Sequence, residues 1–95
     1  MNLSQFYING KWVDPVKPET LDVINPATEE SIGQISVGSE QDVNKAVTAA
    51  RQAFKSFSRT SVNERVELLT EIRNIYKKRF NDIAQAIMTE MGAPI

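Results

Sequence analysis

The sequence predicts a mixed α and β segment, in which a β-hairpin and short strands at about residues 6–37 precede two to three amphipathic α-helices. Three observations support this prediction. An Asn-Gly pair separates two short apolar runs near the N-terminus. Apolar residues recur every three or four positions after Val43, as on one face of a helix. A serine stands three residues before a carboxylate at the start of two helical stretches, the spacing of a capping box.

The hairpin is predicted from the run FYINGKWV at residues 6–13. Asn-Gly tolerates the positive φ angles of a two-residue type I′ turn and is the strongest short-range hairpin signal. Such a loop sets a register that pairs Ile8 with Lys11, Tyr7 with Trp12 and Phe6 with Val13. Tyr7 and Trp12 then form a favourable cross-strand aromatic pair. Because an isolated hairpin is only marginally stable in water, we expect this one to lie on another surface.

A second strand pair is predicted after a polar connector at residues 14–20, which contains two prolines. Residues 21–24 resume an extended pattern, and the Asn-Pro step that follows disfavours helix. Residues 27–31 form a polar turn. The next short strand, which we expect to pair with residues 21–24, is indicated by Ile32, Ile35 and Val37.

The first helix is predicted over residues 39–57. Ser39 and Asp42 have capping-box spacing. An apolar stripe follows at helical spacing, made of Val43, Ala46, Val47, Ala50, Ala53, Phe54 and Phe57. The link at residues 57–60 is short, which favours antiparallel packing of the first two helices.

The second helix is predicted over residues 61–80, and a third over residues 82–91. Ser61 and Glu64 form the second capping box, and a wide apolar stripe consists of Val66, Leu68, Leu69, Ile72, Ile75, Tyr76 and Phe80. Asn81 is the predicted cap of the third helix, and Gly92 suits the left-handed position that ends it. A stripe this wide requires a covering partner.

Composition argues against several classes of partner. The net charge of −1 gives no attraction to nucleic acid or to an anionic membrane. No apolar run approaches the roughly 20 residues that cross a bilayer. The N-terminal run MNLSQFYING lacks the basic and apolar parts of a secretory signal. We therefore predict a cytoplasmic protein that binds neither nucleic acid nor membrane.

The residues offer no catalytic, cofactor-binding or metal-binding site. Cysteine and histidine are absent, which removes the thiolate nucleophile and the commonest general base and metal ligand. Gly33 and Gly38 have the spacing of a phosphate-binding loop, but Ser-Glu follows where Lys-Ser/Thr is required. Glu67 and Glu71 share a helix face opposite the apolar stripe, where a solvated surface is the expected role.

The aromatic residues have a second possible role. Tyr7 and Trp12 could stack on a nucleic-acid base, with Lys11 between the strands. A stacking platform normally lies in a positive groove, so packing within the hairpin is the favoured interpretation.

Taken in order, several motifs resemble the N-terminus of an aldehyde dehydrogenase. They are FYINGKWV at 6–13, VINPATEESIGQI at 23–35, the Ser-x-x-Asp-Val-x-x-Ala-Val-x-x-Ala helix from Ser39, then Arg65 and Leu69, and finally EMGAPI at 90–95. The resemblance implies an α/β parent fold, with this chain as the N-terminal part of a Rossmann-like coenzyme-binding domain. It also implies that the parent chain is several times longer and forms a homodimer or homotetramer.

The family resemblance further implies the parent's chemistry. Family members oxidise an aldehyde to a carboxylic acid with NAD or NADP, through a thiohemiacetal and a thioester on a cysteine. The cysteine, and the glutamate that activates water, belong to motifs beyond Ile95. Some relatives bind a monovalent cation near the position of Ile24, but its other ligands lie downstream. We therefore expect these 95 residues alone to be inactive and to bind neither cofactor nor metal.

An alternative is a self-contained helical module that binds a protein partner. It would use the apolar stripes of residues 39–57 and 61–80. Cooperative unfolding of the isolated chain would favour this alternative, whereas a scaffold would be helical but poorly packed.

Overall fold

The computed structural model describes residues 3–94, so the start of the run MNLSQFYING and the last residue of EMGAPI lie outside the described part. Four strands come first in the chain: β1 (Phe6–Ile8), β2 (Lys11–Val13), β3 (Thr20–Asn25) and β4 (Glu30–Ser36). Three helices follow: α1 (Glu40–Phe57), α2 (Val62–Lys78) and α3 (Phe80–Met91). The predicted order of strands and then helices is confirmed.

The predicted hairpin register is confirmed residue by residue. Strands β1 and β2 are antiparallel, with Tyr7 opposite Trp12. Asn9 and Gly10 have φ angles of 54° and 75°, as the two-residue turn requires. The Tyr7 and Trp12 ring centroids lie 5.2 Å apart at an interplanar angle of 62°, an edge-to-face arrangement.

The second strand pair is also antiparallel, as predicted. Strand β3 extends one residue beyond each predicted bound, whereas β4 begins at Glu30, inside the predicted turn, and ends at Ser36, one residue before the predicted end at Val37. The register shifts within the pair, because Val23 lies opposite Gly33 whereas Ile24 lies opposite Ser31. One extra residue on β4 therefore forms a bulge, a feature that bends and twists a strand.

Both predicted capping boxes are present. In α1, the Asp42 N–H donates to Ser39 Oγ at 3.4 Å, and the Ser39 N–H donates to Asp42 Oδ2 at 3.0 Å. In α2, the Glu64 N–H donates to Ser61 Oγ at 3.1 Å, and the Ser61 N–H donates to Glu64 Oε2 at 3.2 Å. Each helix thereby satisfies N–H groups that its first turn leaves without a helical partner.

The predicted boundary between the second and third helices is wrong. Helix α2 ends at Lys78 and α3 begins at Phe80, without a side-chain cap. Arg79 alone separates them, at φ −103° and ψ 16°. Asn81 therefore lies inside the first turn of α3 instead of capping it. The Tyr76 and Phe80 rings meet edge to face across this break, with centroids 6.2 Å apart, and so link the two helices.

The predicted antiparallel packing of the first two helices is also wrong. Helix α1 contacts β1, and α2 contacts α3, but α1 and α2 do not pack along each other's length. The linker is held in its own turn, because the Thr60 N–H donates to the Phe57 carbonyl and Arg65 Nη1 donates to the Thr60 carbonyl at 2.8 Å. The alanine side of α1 faces the hairpin instead.

The described residues form an open layer without an apolar core. No apolar side chain in residues 3–94 is buried, and the molecule measures 47 × 35 × 15 Å. Its radius of gyration is 17.0 Å, compared with about 12 Å for a compact domain of this length. It exposes 8030 Å², compared with about 5,500 Å² for a compact protein of the same mass.

Candidate docking surface

The predicted apolar stripes lie on the surface. We call two sets of residues the uncovered helix faces: Val43, Val47 and Phe54 on α1, and Val66, Leu69, Ile72 and Tyr76 on α2. Leu69, near the middle of α2, is 64% exposed. Monomeric proteins rarely leave contiguous apolar patches larger than a few hundred Å² exposed, and larger ones mark interaction sites. The uncovered helix faces are therefore the candidate functional site of this chain.

Beyond Val66, which lies at the border of the uncovered face, the opposite side of α2 is polar. A shallow depression there is lined by Val66, Glu67, Thr70, Glu71 and Asn74. Glu67 and Glu71 are both exposed, as expected for a solvated surface. Within residues 3–94, no three side chains of the metal-binding types come together.

The hairpin lies beside α1 and leaves open grooves between them. The aromatic side chains remain largely exposed, Tyr7 at 64% and Trp12 at 51%. One groove has an alanine wall on α1, and the other brings Lys11 and Lys45 to a shared rim. The groove is open, so it does not enclose a small ligand away from solvent.

A buried carboxylate joins the hairpin side of the molecule to α1. Asp42 is 5% exposed and is the one buried residue within residues 3–94. Its Oδ1 accepts the Val16 N–H at 3.1 Å, and its Oδ2 accepts the Ser39 N–H and the Ser39 hydroxyl, each at 3.0 Å. The Ser39 N–H contributes most to lowering the pKa of Asp42; the Val16 N–H, the Ser39 hydroxyl and the charge of Lys45 add to it, while burial opposes it.

A second joint connects the end of α3 to the turn between β3 and β4. Gly92 ends the helix at φ 71°, as predicted, and its N–H donates to the Met88 carbonyl at 2.9 Å. A Cβ atom at Gly92 would lie 3.0 Å from the Ala27 nitrogen and 3.2 Å from Pro26 Cγ. Glycine therefore serves two purposes here, the left-handed backbone and a close approach between chain segments.

Neither long-range contact was predicted from the sequence. The spacing of Ser39 and Asp42 indicates the cap of α1 but not the bond to Val16, and Gly92 indicates the helix end but not the approach to Pro26 and Ala27. Asp42 accepts a bond from a backbone N–H, and Gly92 allows a distant turn to approach its Cα closely. The residue types at Val16, Pro26 and Ala27 give no signal for either contact. The Asn25 side chain, which accepts the Ala27 N–H at 2.9 Å, indicates a turn but not what packs against that turn.

The two glycines tested for phosphate binding offer no open cradle. A Cβ atom at Gly33 would meet Leu3 Cδ1 at 3.6 Å, and one at Gly38 would meet Phe6 Cζ at 3.8 Å. Side chains therefore already cover both positions. Ser39 and Glu40 follow Gly38 where a phosphate-binding loop has Lys-Ser/Thr, so this stretch lacks the cation that such a loop supplies.

Comparison with known proteins assigns the family. The sequence model described as the aldehyde dehydrogenase family matches residues 12–95. The chain therefore belongs to the aldehyde dehydrogenase family. A 3-succinoylsemialdehyde-pyridine dehydrogenase from a Pseudomonas species is 48% identical over 91 residues, which is 96% of this chain and 19% of that protein.

Solved structures of aldehyde dehydrogenases also match the fold of this chain. An aldehyde dehydrogenase from Bartonella henselae is 49% identical with a TM-score of 0.93, over 95% of this chain and 19% of that one. Aldehyde dehydrogenase C from Pseudomonas syringae, solved with NAD+ and octanal, is 43% identical with a TM-score of 0.94, over 96% and 19%. The α/β fold expected from the resemblance is confirmed. The chain spans about a fifth of the length of the curated relatives that it matches.

None of the described helices combines the length and the apolar character of a membrane span.

Proposed function

We propose that this chain is the N-terminal part of the coenzyme-binding domain of an NAD(P)-dependent aldehyde dehydrogenase, and that it serves that enzyme as a scaffold. The observation that carries this proposal is the set of uncovered helix faces in a member of the family. The surface in excess of a compact protein is about 2,500 Å², within the range that obligate interfaces bury. The proposed covering partner is the rest of the parent polypeptide.

The proposed reaction of the parent is the oxidation of an aldehyde to a carboxylic acid. NAD+ or NADP+ accepts the hydride, and a cysteine and a glutamate elsewhere in the parent provide the nucleophile and the base. This chain contains no cysteine, so we propose that its own residues perform no chemical step of the reaction. Their proposed role is to cover and orient the coenzyme-binding domain.

The remaining proposals follow from the family resemblance. We propose an aldehyde as the substrate class of the parent, a cytoplasmic location, and assembly as a homodimer or homotetramer without nucleic acid or membrane partners. The alternative of a self-contained interaction module is not favoured, because residues 3–94 bury no apolar side chain of their own.

The test is reconstitution of the enzyme from two pieces. This chain and the rest of the parent are produced separately, and reduction of NAD+ or NADP+ is followed with and without an aldehyde. We expect no activity from this chain alone and aldehyde-dependent activity when the pieces are mixed. An intact parent that reduces neither coenzyme with any of a broad panel of aldehydes contradicts the proposed reaction.

Two variants on opposite sides of α2 locate the contact. Leu69→Asp places a charge on the uncovered face, so we expect it to abolish reconstitution. Glu67→Ala changes the polar side and serves as the matched control, with activity retained. Equal activity from both variants would contradict the scaffold role of this face.

A further inference from the structure

Asp42 does more than a capping residue needs to do. In a capping box, the residue three positions after the cap needs only to accept a hydrogen bond from the backbone N–H of the cap residue. Asp42 satisfies this requirement through Oδ2 and uses Oδ1 for Val16, which lies 26 residues earlier in the chain. The side chain that is buried in this open layer is therefore a carboxylate rather than an apolar group.

Residues 14–19, which we call the strap, connect β2 to β3 and are bonded at three places. Near one end, Asp14 Oδ1 accepts Gln5 Nε2 at 2.7 Å. In the middle, the Val16 N–H donates to Asp42. At the other end, the Glu19 carbonyl accepts the Val37 N–H at 2.8 Å. The strap thus joins the base of the hairpin, the first turn of α1 and the end of β4.

Glu64 shows what the same motif does without a strap. It occupies the equivalent position in the capping box of α2 and bonds the Ser61 backbone. Its bonds are local and exposed, whereas those of Asp42 are partly buried. The chain therefore contains two capping boxes of the same design, of which the first also reaches a distant segment.

We propose that Asp42 and the strap fix the hairpin against α1 in this chain by itself, so that this part of the surface has its final geometry before any partner docks. The bonds involved are polar and internal to the described residues, so they need no apolar core. Ordering the hairpin and α1 in advance lowers the entropy lost on docking. The docking step rests on the proposed function, but the geometry of the strap does not.

Several charged groups surround the Asp42 carboxylate. Lys45 lies on α1 and favours the charged form. Lys17 of the strap and Glu40 of α1 line a shallow groove beside Ser39. The hairpin contributes uncharged side chains to the groove at Asp42, among them Phe6, Tyr7 and Ile8. The carboxylate is therefore held mainly by hydrogen bonds, and we expect the strap to stay closed at neutral pH.

Hydrogen exchange of the Val16 amide tests the proposal on this chain alone. We expect the amide to be protected, and Asp42→Asn to raise its exchange rate about tenfold, since the charged acceptor becomes neutral and an NH2 donor replaces the oxygen that accepts the Ser39 N–H. Glu64→Gln is the matched control and should speed exchange in the first turn of α2 without changing Val16. An unprotected Val16 amide in the unaltered chain, or equal effects of both variants on Val16, overturns the proposal.

A pH titration of the unaltered chain tests the proposal without any substitution, so the result does not depend on whether a variant folds. The pKa of Asp42 is lowered by folding, so the strap is stabilised above the ordinary pKa of an aspartate and released as pH falls through the lowered value. We expect the Val16 and Ser39 amide resonances to shift together at that lowered midpoint. Separate midpoints, or a midpoint at the ordinary value, overturn the proposal. Neither experiment involves an aldehyde, so failure of the proposed reaction would leave these results unchanged.

Discussion

Two parts of this chain, residues 3–42 (the first half) and residues 62–94 (the second half), are held in different ways. Residues 3–42 are joined by strand pairing and by hydrogen bonds between distant segments, such as Val16 to Asp42 and Ser36 Oγ to the Ser4 carbonyl at 2.6 Å. Residues 62–94 form helices in which the side-chain hydrogen bonds of the described residues are local, such as that from Thr70 Oγ1 to the Val66 carbonyl. Polar, directional bonds thus define the first half, while the second half carries apolar surface in need of a partner.

This difference separates two kinds of information in a sequence. A capping box or an Asn-Gly turn is complete within a few residues, so it forms its structure wherever it is placed. An apolar stripe specifies only that something must cover it. A chain can therefore have well-defined secondary structure and still lack most of the burial that stabilises a domain.

The largest expected effect is on the second half, where burial depends on the partner. In the complete enzyme we expect Leu69→Ala to lower the free energy of unfolding by about 2–5 kcal/mol, as for a buried leucine. In this chain alone the same change should be within about 0.5 kcal/mol of zero, as for a surface residue, because Leu69 is 64% exposed. Urea unfolding of the complete enzyme measures the first value, and the helix content of this chain alone, followed by circular dichroism, reports the second. Similar values in the two proteins would mean that the α2 face is not the one that becomes covered.

The next effect concerns the joint at the end of α3, where two glycines with similar backbones can be compared. Gly92 and Gly10 have φ angles of 71° and 75°, but a Cβ atom would meet Ala27 at Gly92 and nothing within 4 Å at Gly10. Gly10→Ala should cost about 1 kcal/mol for the left-handed backbone. Gly92→Ala should cost about 1 kcal/mol more, since the turn must also move away.

Thermal unfolding of the complete enzyme carrying each substitution measures this difference. The left-handed backbone contributes equally to the loss of stability in both variants. The additional loss for Gly92→Ala therefore reports the close contact with the turn alone. Equal losses for the two variants would show that the turn at Pro26 and Ala27 shifts freely, and that α3 is not fixed to it.

The features that could be predicted from the sequence are the local ones. The hairpin register was predictable because a two-residue loop and the alternation of side chains leave a single pairing. Both caps were predictable because the partners are three residues apart. The helix boundary at Arg79 was not, since Asn81 is the better cap by residue type, while the Tyr76–Phe80 contact spans the junction in the structure. Docking of α1 on the hairpin was also missed, because a short linker does not fix the angle between helices.

The candidate site was predicted in part. The stripe on α2 was identified from its spacing, and the structure leaves it uncovered. The bond from Val16 to Asp42 was not identified, because a backbone donor 26 residues away has no signature in the sequence. Side-chain chemistry can be read from residue type, but a tertiary contact to the backbone requires the fold.

The smallest expected effect compares one aromatic pair from each half. Tyr7 and Trp12 meet across strands at 5.2 Å, and Tyr76 and Phe80, four residues apart, meet across the break between α2 and α3 at 6.2 Å. Double-mutant cycles with leucine substitutions should give a coupling energy of about 0.5–1 kcal/mol for the first pair and about 0.2–0.5 kcal/mol for the second. Measured in this chain alone and in the complete enzyme, the Tyr7–Trp12 coupling should be unchanged, because the hairpin geometry is internal. A coupling that emerges only in the complete enzyme would show that the first half, like the second, acquires its geometry from the partner.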